Sequence, residues 1–547
     1  MDNGKMKQSL LMGALTSSFG IFVSKLLGLL YYSPLSSIAG EENMTFYSIV
    51  YTYYDLLLQV SSAGIPFAIA ALVSKYMAKK DYRTVLLVKK LGTSIVMALS
   101  VFVGLIFILL ASPLSYQSLG ASAPAEDIEN LRLLFYILTI AVIVVPFLSS
   151  IRAYCQGLKR LDIYASSQVL EQFVRVFSII IFSWLFVKIL KMHNIWAIYV
   201  AVAAASLGAI VALSFTKFMG HKDEQRVEDL AAIAEGDCLY TKKEIIIEIL
   251  TIGIPYLIFS FLGSAGPLVN TTFFMDYMTK INGPGIYESA KLSSGILQAN
   301  CAKLANIPSV LALGFGSGMV PYLSEALEDS DNHLITRYIN QILDTCTFIL
   351  VPMMIIFIFF AKDIYFIMYG STNLELGSRL FAVSNIQTFL GTIAPVFSTI
   401  MMSLKLRREA IVTLIISFIA KLVTFFPLVR LYGTYGMIYS SGIYYLLQIL
   451  IYFYFLRINF GTDVKGASKR LILITLCSLI MVVPAYVLNM IVPFAYNSRL
   501  MDIVRMGMLG IFMLAIYYMA SILFGLIQKI FEIKEPSIKA LIRKFRS

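Results

Sequence analysis

Six ionisable side chains, Lys25, Asp55, Glu171, Arg175, Lys303 and Lys421, lie well inside stretches that otherwise read as membrane-spanning helices. A charge at the bilayer centre costs at least ~2.5–3.5 kcal/mol on insertion scales, so such residues face a bundle interior or a watery cavity. Four of the six are cations. An interior biased toward cations is most simply built to handle an anion.

Helical spacing groups these residues. Tyr47, Tyr51, Asp55, Gln59 and Ser62 recur at steps of three and four, so they share one face of a second span. Ser17, Ser24, Lys25 and Gly28 occupy adjoining faces of the first span. A Lys25–Asp55 contact would keep both charges out of lipid, either as a structural ion pair or within a substrate or ion site. In QVLEQFVRVF, Glu171 precedes Arg175 by four residues, with Gln168 a turn earlier, and mutual neutralisation of the pair is the simpler reading. Gln298, Asn300, Lys303 and Asn306 fill two neighbouring turns of an eighth span, and no acidic residue lies within a turn of Lys303 in sequence. That lysine is the sharpest functional candidate. Lys421 sits close enough to the outer end of its span to snorkel. Arg132, Arg152 and Arg505, at span ends, carry little information.

Several chemistries lack their residues. There is no GxxxxGK[ST] to cradle nucleotide phosphates and no HExxH. The three histidines fall in loops or at span ends, no Ser/His/Asp set is present, and the five cysteines are scattered without a CxxC. Disulfides, zinc, a cofactor and enzymatic catalysis are therefore not expected. Transport driven by a potential or gradient is, with sodium or a proton as the candidate coupling ion.

The elements that must position these residues are membrane helices. The chain is 59% hydrophobic and 14% charged, with a mean hydropathy of +0.80. Fourteen runs are long enough to cross a bilayer: 10–33, 46–74, 91–113, 131–154, 164–189, 195–216, 245–275, 288–320, 338–361, 377–403, 409–427, 434–456, 471–492 and 501–528. The expected class is an all-α integral membrane protein. Most of its Lys and Arg lie at the N-terminus, in the C-terminal tail and in loops after even-numbered spans, whereas loop 114–130 has three acids and no base. The positive-inside rule then puts both termini in the cytoplasm. The net charge of +12 is a topology signal, with affinity for anionic lipid headgroups, rather than a nucleic-acid footprint. No cleavable leader is expected at MDNGKMKQ.

Two six-helix lobes are expected at 1–217 and 245–457, separated by a cytoplasmic linker at 218–244 and followed by two further spans at 470–530 and a basic tail at 531–547. AGIPFAIAALVSKY (63–76) weakly resembles ANIPSVLALGFGSG (305–318), and VPFLSSIRAYCQGLKR (145–160) weakly resembles APVFSTIMMSLKLRR (394–408). An even number of helices per copy makes the repeats parallel, with a cavity at their interface. Gly64, Pro66, Gly253, Pro255, Gly263, Gly266, Pro267, Pro308 and Gly314 break spans 2, 7 and 8, as hinges or as close-packing points.

Segments 9–40, 61–76, 152–177 (RAYCQGLKRLDIYASSQVLEQFVRVF) and 303–326 (KLANIPSVLALGFGSGMVPYLSEA) resemble the polysaccharide-exporter branch of the multidrug/oligosaccharidyl-lipid/polysaccharide superfamily. Within it they are most similar to the MurJ (YtgP-like) group of lipid II flippases. The resemblance runs over most of the chain. It implies fourteen helices, in two lobes around a cavity with a C-terminal pair shaping a groove for a polyprenyl tail. By resemblance, the basic residues of SKLLG and KLANIP, here Lys25 and Lys303, engage a pyrophosphate. Two further arginines of Gram-negative members fall at Tyr31 and near Leu58, so this cavity is less cationic, and Asp55 has no assigned counterpart.

The expected function is translocation of a lipid-linked oligosaccharide pyrophosphate, lipid II foremost, to the outer leaflet by a monomer in the bacterial cytoplasmic membrane, alongside cell-wall synthesis enzymes. The substrate-facing set is Lys25, Lys303, Asp55, Gln59, Ser24, Gln298, Asn300, Asn306, Arg175 and Glu171. The alternatives are export of a teichoic-acid or capsule unit, a multidrug or cation antiporter, and a membrane glycosyltransferase. The last would need an acidic pair that Glu126, Asp127 and Glu129 supply poorly.

Overall fold

The computed structural model describes residues 27–28, 31–59, 64–234, 240–309, 320–491 and 498–531. Its regular elements are helices: α1 (Tyr32–Ala39), α2 (Met44–Leu58), α3 (Gly64–Ala78), α4 (Tyr82–Leu119), α5 (Ala125–Gly157), α6 (Leu161–Trp184), α7 (Ile195–Ile233), α8 (Lys242–Asn282) and α9 (Tyr287–Gly295). After a π-helical segment, Ile296–Cys301, come α10 (Ala302–Ala305), α11 (Val320–Glu328), α12 (Asn332–Phe359), α13 (Ala361–Tyr369), α14 (Leu374–Ser403) and α15 (Arg407–Tyr432). Last are α16 (Thr434–Phe460), α17 (Val464–Ile480), α18 (Val482–Ile491), α19 (Arg499–Leu523) and α20 (Leu526–Phe531). This is an all-helical, multi-pass membrane protein.

Eleven helices among the described residues are long and apolar enough to cross a membrane. They correspond to eleven of the fourteen expected runs. The other three are the first, which falls mostly outside the described residues, the second, represented by α2 and α3, and the eighth, divided into α9, the π segment and α10. A bilayer leaves no water to satisfy exposed backbone groups, so apolar runs of this length must close their hydrogen bonds locally.

The ends of these helices repeat a single device. After α3, α5, α11 and α14, the residues Lys80, Lys159, Ser330 and Lys405 take φ between 55° and 63°. In each case the following amide reaches back five residues: Asp81 to Tyr76, Arg160 to Cys155, Asp331 to Ala326 and Leu406 to Met401. This is the Schellman closure, which satisfies carbonyls that a helix end leaves open. Asp81 and Asp331 then cap α4 and α12 by accepting from the amides of Thr84 and Leu334. Lys80 and Ser330, like Lys159 and Lys405, lie roughly 250 residues apart, the spacing of the expected internal repeat.

By packing, the chain divides into two compact units, Met1–Gly295 and Ile296–Ser547. In the first, Ile65, Ile69, Leu72, Val73 and Tyr76 of α3 form a core with Val85 and Val88 of α4, Tyr154 of α5, and Ile245 and Ile249 of α8. Gly64 and Gly253 let α3 and α8 meet backbone to backbone: a Cβ on Gly64 would lie 2.1 Å from the Gly253 carbonyl oxygen. At this crossing the breakers serve close packing.

The expected linker differs from a loop over much of its length. α7 continues unbroken to Ile233. Its charged end is held by ion pairs Arg160–Asp223 and Lys89–Glu224, and the Arg83 guanidinium caps it at the carbonyls of Ala231 (3.0 Å) and Ala234 (2.9 Å). The mixed charges as far as Ile233 are the polar face of a helix lying against basic residues of α4 and of the turn between α5 and α6.

Candidate functional site

In the first unit, α2 carries the polar stripe read from the sequence, and the structure grades it by depth. Tyr47 is fully buried, Tyr51 and Gln59 are half-buried, and Asp55 is exposed. Ser62 lies outside the described residues. The tyrosines form a connected cluster: Tyr31 and Tyr47 share a hydrogen bond of 2.6 Å between hydroxyls, Tyr47 stacks on Tyr51 with centroids 4.2 Å apart, and Tyr51 meets Tyr54 edge to face. Arg175 of α6 closes the cluster. Its Nη2 donates to the Tyr51 hydroxyl and its guanidinium lies 5.0 Å from the centre of the Tyr51 ring, while its Nε has no hydrogen-bond partner among the described residues.

The neutralisation expected between Glu171 and Arg175 does not occur. Glu171 pairs instead with Arg152 of α5, Nη1 to Oε2 at 2.8 Å, with side chains only 7% and 13% exposed. Arg152 also donates from Nε and Nη2 to the Ser167 hydroxyl, which is 2.7 Å from Thr216 Oγ1 on α7. A rigid guanidinium fork satisfies two acceptors on a neighbouring helix better than a same-helix partner can. Arg152, read from sequence as a bystander, is thus the residue that occupies Glu171. Arg175 is left as a cation among neutral hydroxyls.

A second buried pair was not anticipated. Lys291 of α9 bonds Asp127 at 2.6 Å, Tyr287 donates to the same carboxylate oxygen at 2.7 Å, and Thr45 of α2 donates to the Lys291 carbonyl. Gly295 allows this approach, since a Cβ there would lie 2.7 Å from the Glu41 carbonyl oxygen. The only sequence hint was an acid in loop 114–130 with no base beside it.

In the second unit the eighth span is locally underwound into a wider turn. The π segment Ile296–Cys301 places Gln298 half-buried and Asn300 fully buried, and Lys303 and Asn306 follow on α10 and its C-terminal turn, half-buried and exposed respectively. Single-turn π segments are frequent at functional sites. Asn300 is fastened rather than open: its Nδ2 donates to Tyr365 (3.3 Å) and its carbonyl accepts from Tyr369 (3.1 Å). Lys303 is engaged with its surroundings. Lys25 and Ser24, the first-span members of the expected site, lie outside the described residues, and so does any Lys25–Asp55 contact.

Lys421 does not snorkel. It is fully buried, and its Nζ donates to the hydroxyls of Ser440 and Ser441 of α16, each at 2.8 Å. The rotation of α15 turns it toward α16, which the span's position along the sequence could not reveal.

The sequence model of the polysaccharide biosynthesis protein family matches residues 10–327. The chain belongs to that family. The model described as lipid II flippase MurJ matches residues 291–505. Among curated relatives, the lipid II flippase MurJ of Bacillus subtilis (strain 168) is 26% identical over 495 residues, covering 89% of this chain and 90% of its own. Stage V sporulation protein B of the same organism is 23% identical over 387 residues, covering 69% of this chain and 70% of its own. A solved lipid II flippase MurJ in an inward closed conformation superposes with a TM-score of 0.65 at 16% identity, covering 93% of this chain and 99% of that one. An inward-facing multidrug resistance MATE transporter of the MOP superfamily gives 0.60 at 12% identity, covering 82% and 96%. The fold of this family member is therefore that of MurJ and MATE transporters.

Proposed function

We propose that this protein is a flippase for lipid II, moving the lipid-linked peptidoglycan precursor from the cytoplasmic to the outer leaflet of the bacterial cytoplasmic membrane. One observation carries the reading. The acid four residues from Arg175 is taken by Arg152, so Arg175 stays a cation with an undonated Nε–H beside the tyrosine stack. Guanidinium groups with free donors suit phosphate oxygens, and tyrosine faces suit sugar rings. By resemblance to the family, Lys25 and Lys303 are each further candidates to engage the pyrophosphate. Asp55 and Gln59 of the first unit, and Gln298 and Asn306 of the second, are candidate polar contacts for the sugar-bearing head, while Asn300 and Glu171 act by holding neighbours in place.

The protein works as a monomer with both termini in the cytoplasm, without catalysing a reaction, and supplies cell-wall synthesis enzymes on the outer face. Alternating access brings the site to each side in turn. An inside-negative potential contributes about 2.3 kcal/mol per charge per 100 mV to export of the anionic head. The test is replacement of a depleted essential flippase by this chain. The unaltered chain restores growth and outer-leaflet labelled lipid II, while Arg175→Met and Lys303→Ala, present at normal levels in the membrane, restore neither. Full rescue by both variants would overturn the assignment.

A further inference from the structure

Lys421 belongs to none of the groups assigned above, and its surroundings are built rather than accidental. The hydroxyls of Ser440 and Ser441 give their own protons to the Met437 carbonyl, at 3.2 and 2.8 Å. Each therefore turns a lone pair toward Nζ. An amine in either protonation state has at least two N–H donors, so both serines stay satisfied whether Lys421 carries a third proton or not. The Phe425 ring, 5.4 Å away, adds attraction for the charged form.

A second observation extends the site. α15 and α16 are consecutive, antiparallel and tightly packed, so one turn back from Lys421 on α15 lies opposite one turn forward from Ser440 on α16. Those positions are Ser417, then Tyr444 and Gln448, all buried. Ser417 Oγ has no hydrogen-bond partner among the described residues, and Tyr444 Oη and Gln448 Nε2 face each other without a well-formed bond. Buried polar atoms are almost always paired, by water where the protein offers nothing. Farther along, Tyr452 bonds Ser398 of α14 at 2.9 Å. A polar seam thus runs from Lys421 toward the end of the helix pair nearest loop 403–408, which the charge pattern places in the cytoplasm.

We propose that Lys421 is a proton-carrying coupling site in the second unit and that this seam is its route to the cytoplasm. The ligand is the proton itself: Lys421 loads in one conformation and discharges through water held by Ser417, Tyr444 and Gln448 in the other. Loading forms one N–H bond as a water gives up a proton, and discharge breaks that bond as the proton passes to a water of the seam. Other titratable groups on the packed helices lie elsewhere. Tyr444 and Tyr452 are within the seam, and Tyr445 lies beside Tyr444 against Gly391 of α14, whereas Tyr439 and Tyr454 are exposed, and Tyr432, Tyr435, Arg407, Arg408, Glu409 and Arg430, Glu375 and Arg379 of α14, and Arg457 of α16 sit at helix ends. The inference rests on the transport reading above but concerns its driving force.

The experiment uses the purified full chain in liposomes with fluorescent lipid II, driven by a pH gradient at clamped zero potential and separately by a potential without a gradient. Coupling of one proton per lipid should shift the outer-to-inner ratio about tenfold per pH unit. Lys421→Met and Lys421→Arg should both lose that gradient response, and Ser417→Ala with Gln448→Leu should slow it. A gradient response preserved in Lys421→Met, or absent from the unaltered chain while the potential still drives transport, overturns the proposal. Should the unaltered chain move no lipid under either drive, the flippase reading falls. Lys421 is then judged by proton release from solubilised protein on a jump from acid to alkaline pH: one proton fewer in Lys421→Met supports the site, and an equal count overturns it.

Discussion

Breaking the Arg152–Glu171 pair should cost unequally depending on which partner is removed. Both side chains are nearly buried, so deleting one leaves an uncompensated charge, typically worth about 3–5 kcal/mol. After Arg152→Met, Glu171 still has Arg175 four residues away on its own helix, a spacing at which opposite charges can meet. That places Arg152→Met near the low end, about 3 kcal/mol. Glu171→Gln has no such relief, because two guanidinium groups then share the region, and it belongs near the upper end, about 5 kcal/mol. The double variant should recover much of the loss, since a pair replaced as a whole is often close to neutral. The assay is unfolding by sodium dodecyl sulfate in mixed micelles. Trp184, at the C-terminal end of α6, and Trp196, at the N-terminal end of α7, report on the transition, and a thiol-reactive dye reports on the buried Cys155 of α5. Coupling between the two substitutions below about 0.5 kcal/mol, the range of independent sites, would refute the pairing. Equal losses for both single variants would refute the role given to Arg175.

Two further outcomes follow from packing. Gly64→Ala should sharply lower the yield of monodisperse protein in size-exclusion chromatography, because the new methyl would meet a backbone oxygen that cannot swing aside. Asp344→Ala should loosen α17: Arg470 Nε lies 2.6 Å from this carboxylate and its Nη2 donates to Asn340 at 3.0 Å, so the loss should show as faster proteolysis within 461–470.

How much of this could be read in advance divides along a physical line. The apolar runs and their number are local properties, and the helices that fill them sit where hydropathy placed them. The stripe from Tyr47 to Gln59 was equally legible, since helical periodicity alone puts those residues on one face. The density of tyrosine in YYSP and YTYYD was a visible signal for the Arg175 cluster that received too little weight. Glu171 shows where such reading stops. Its partner on the same helix was the natural choice, yet Arg152, nineteen residues earlier on another helix, took it because α5 and α6 pack side by side. Lys291 and Asp127 are 164 residues apart, and nothing local joins them.

The sequence by itself settled the class of molecule, the places where its apolar runs lie, and the presence of cations within those runs. A bilayer makes those choices compulsory, because backbone groups there must be satisfied within the helix and charges there are too costly to be incidental. Only the tertiary structure decided which charges are neutralised and which remain. The answer depends on how each helix is rotated about its axis and which helix lies beside it. Arg175 kept its charge and Lys421 turned inward for that reason, and neither outcome is a property of the residues that flank them.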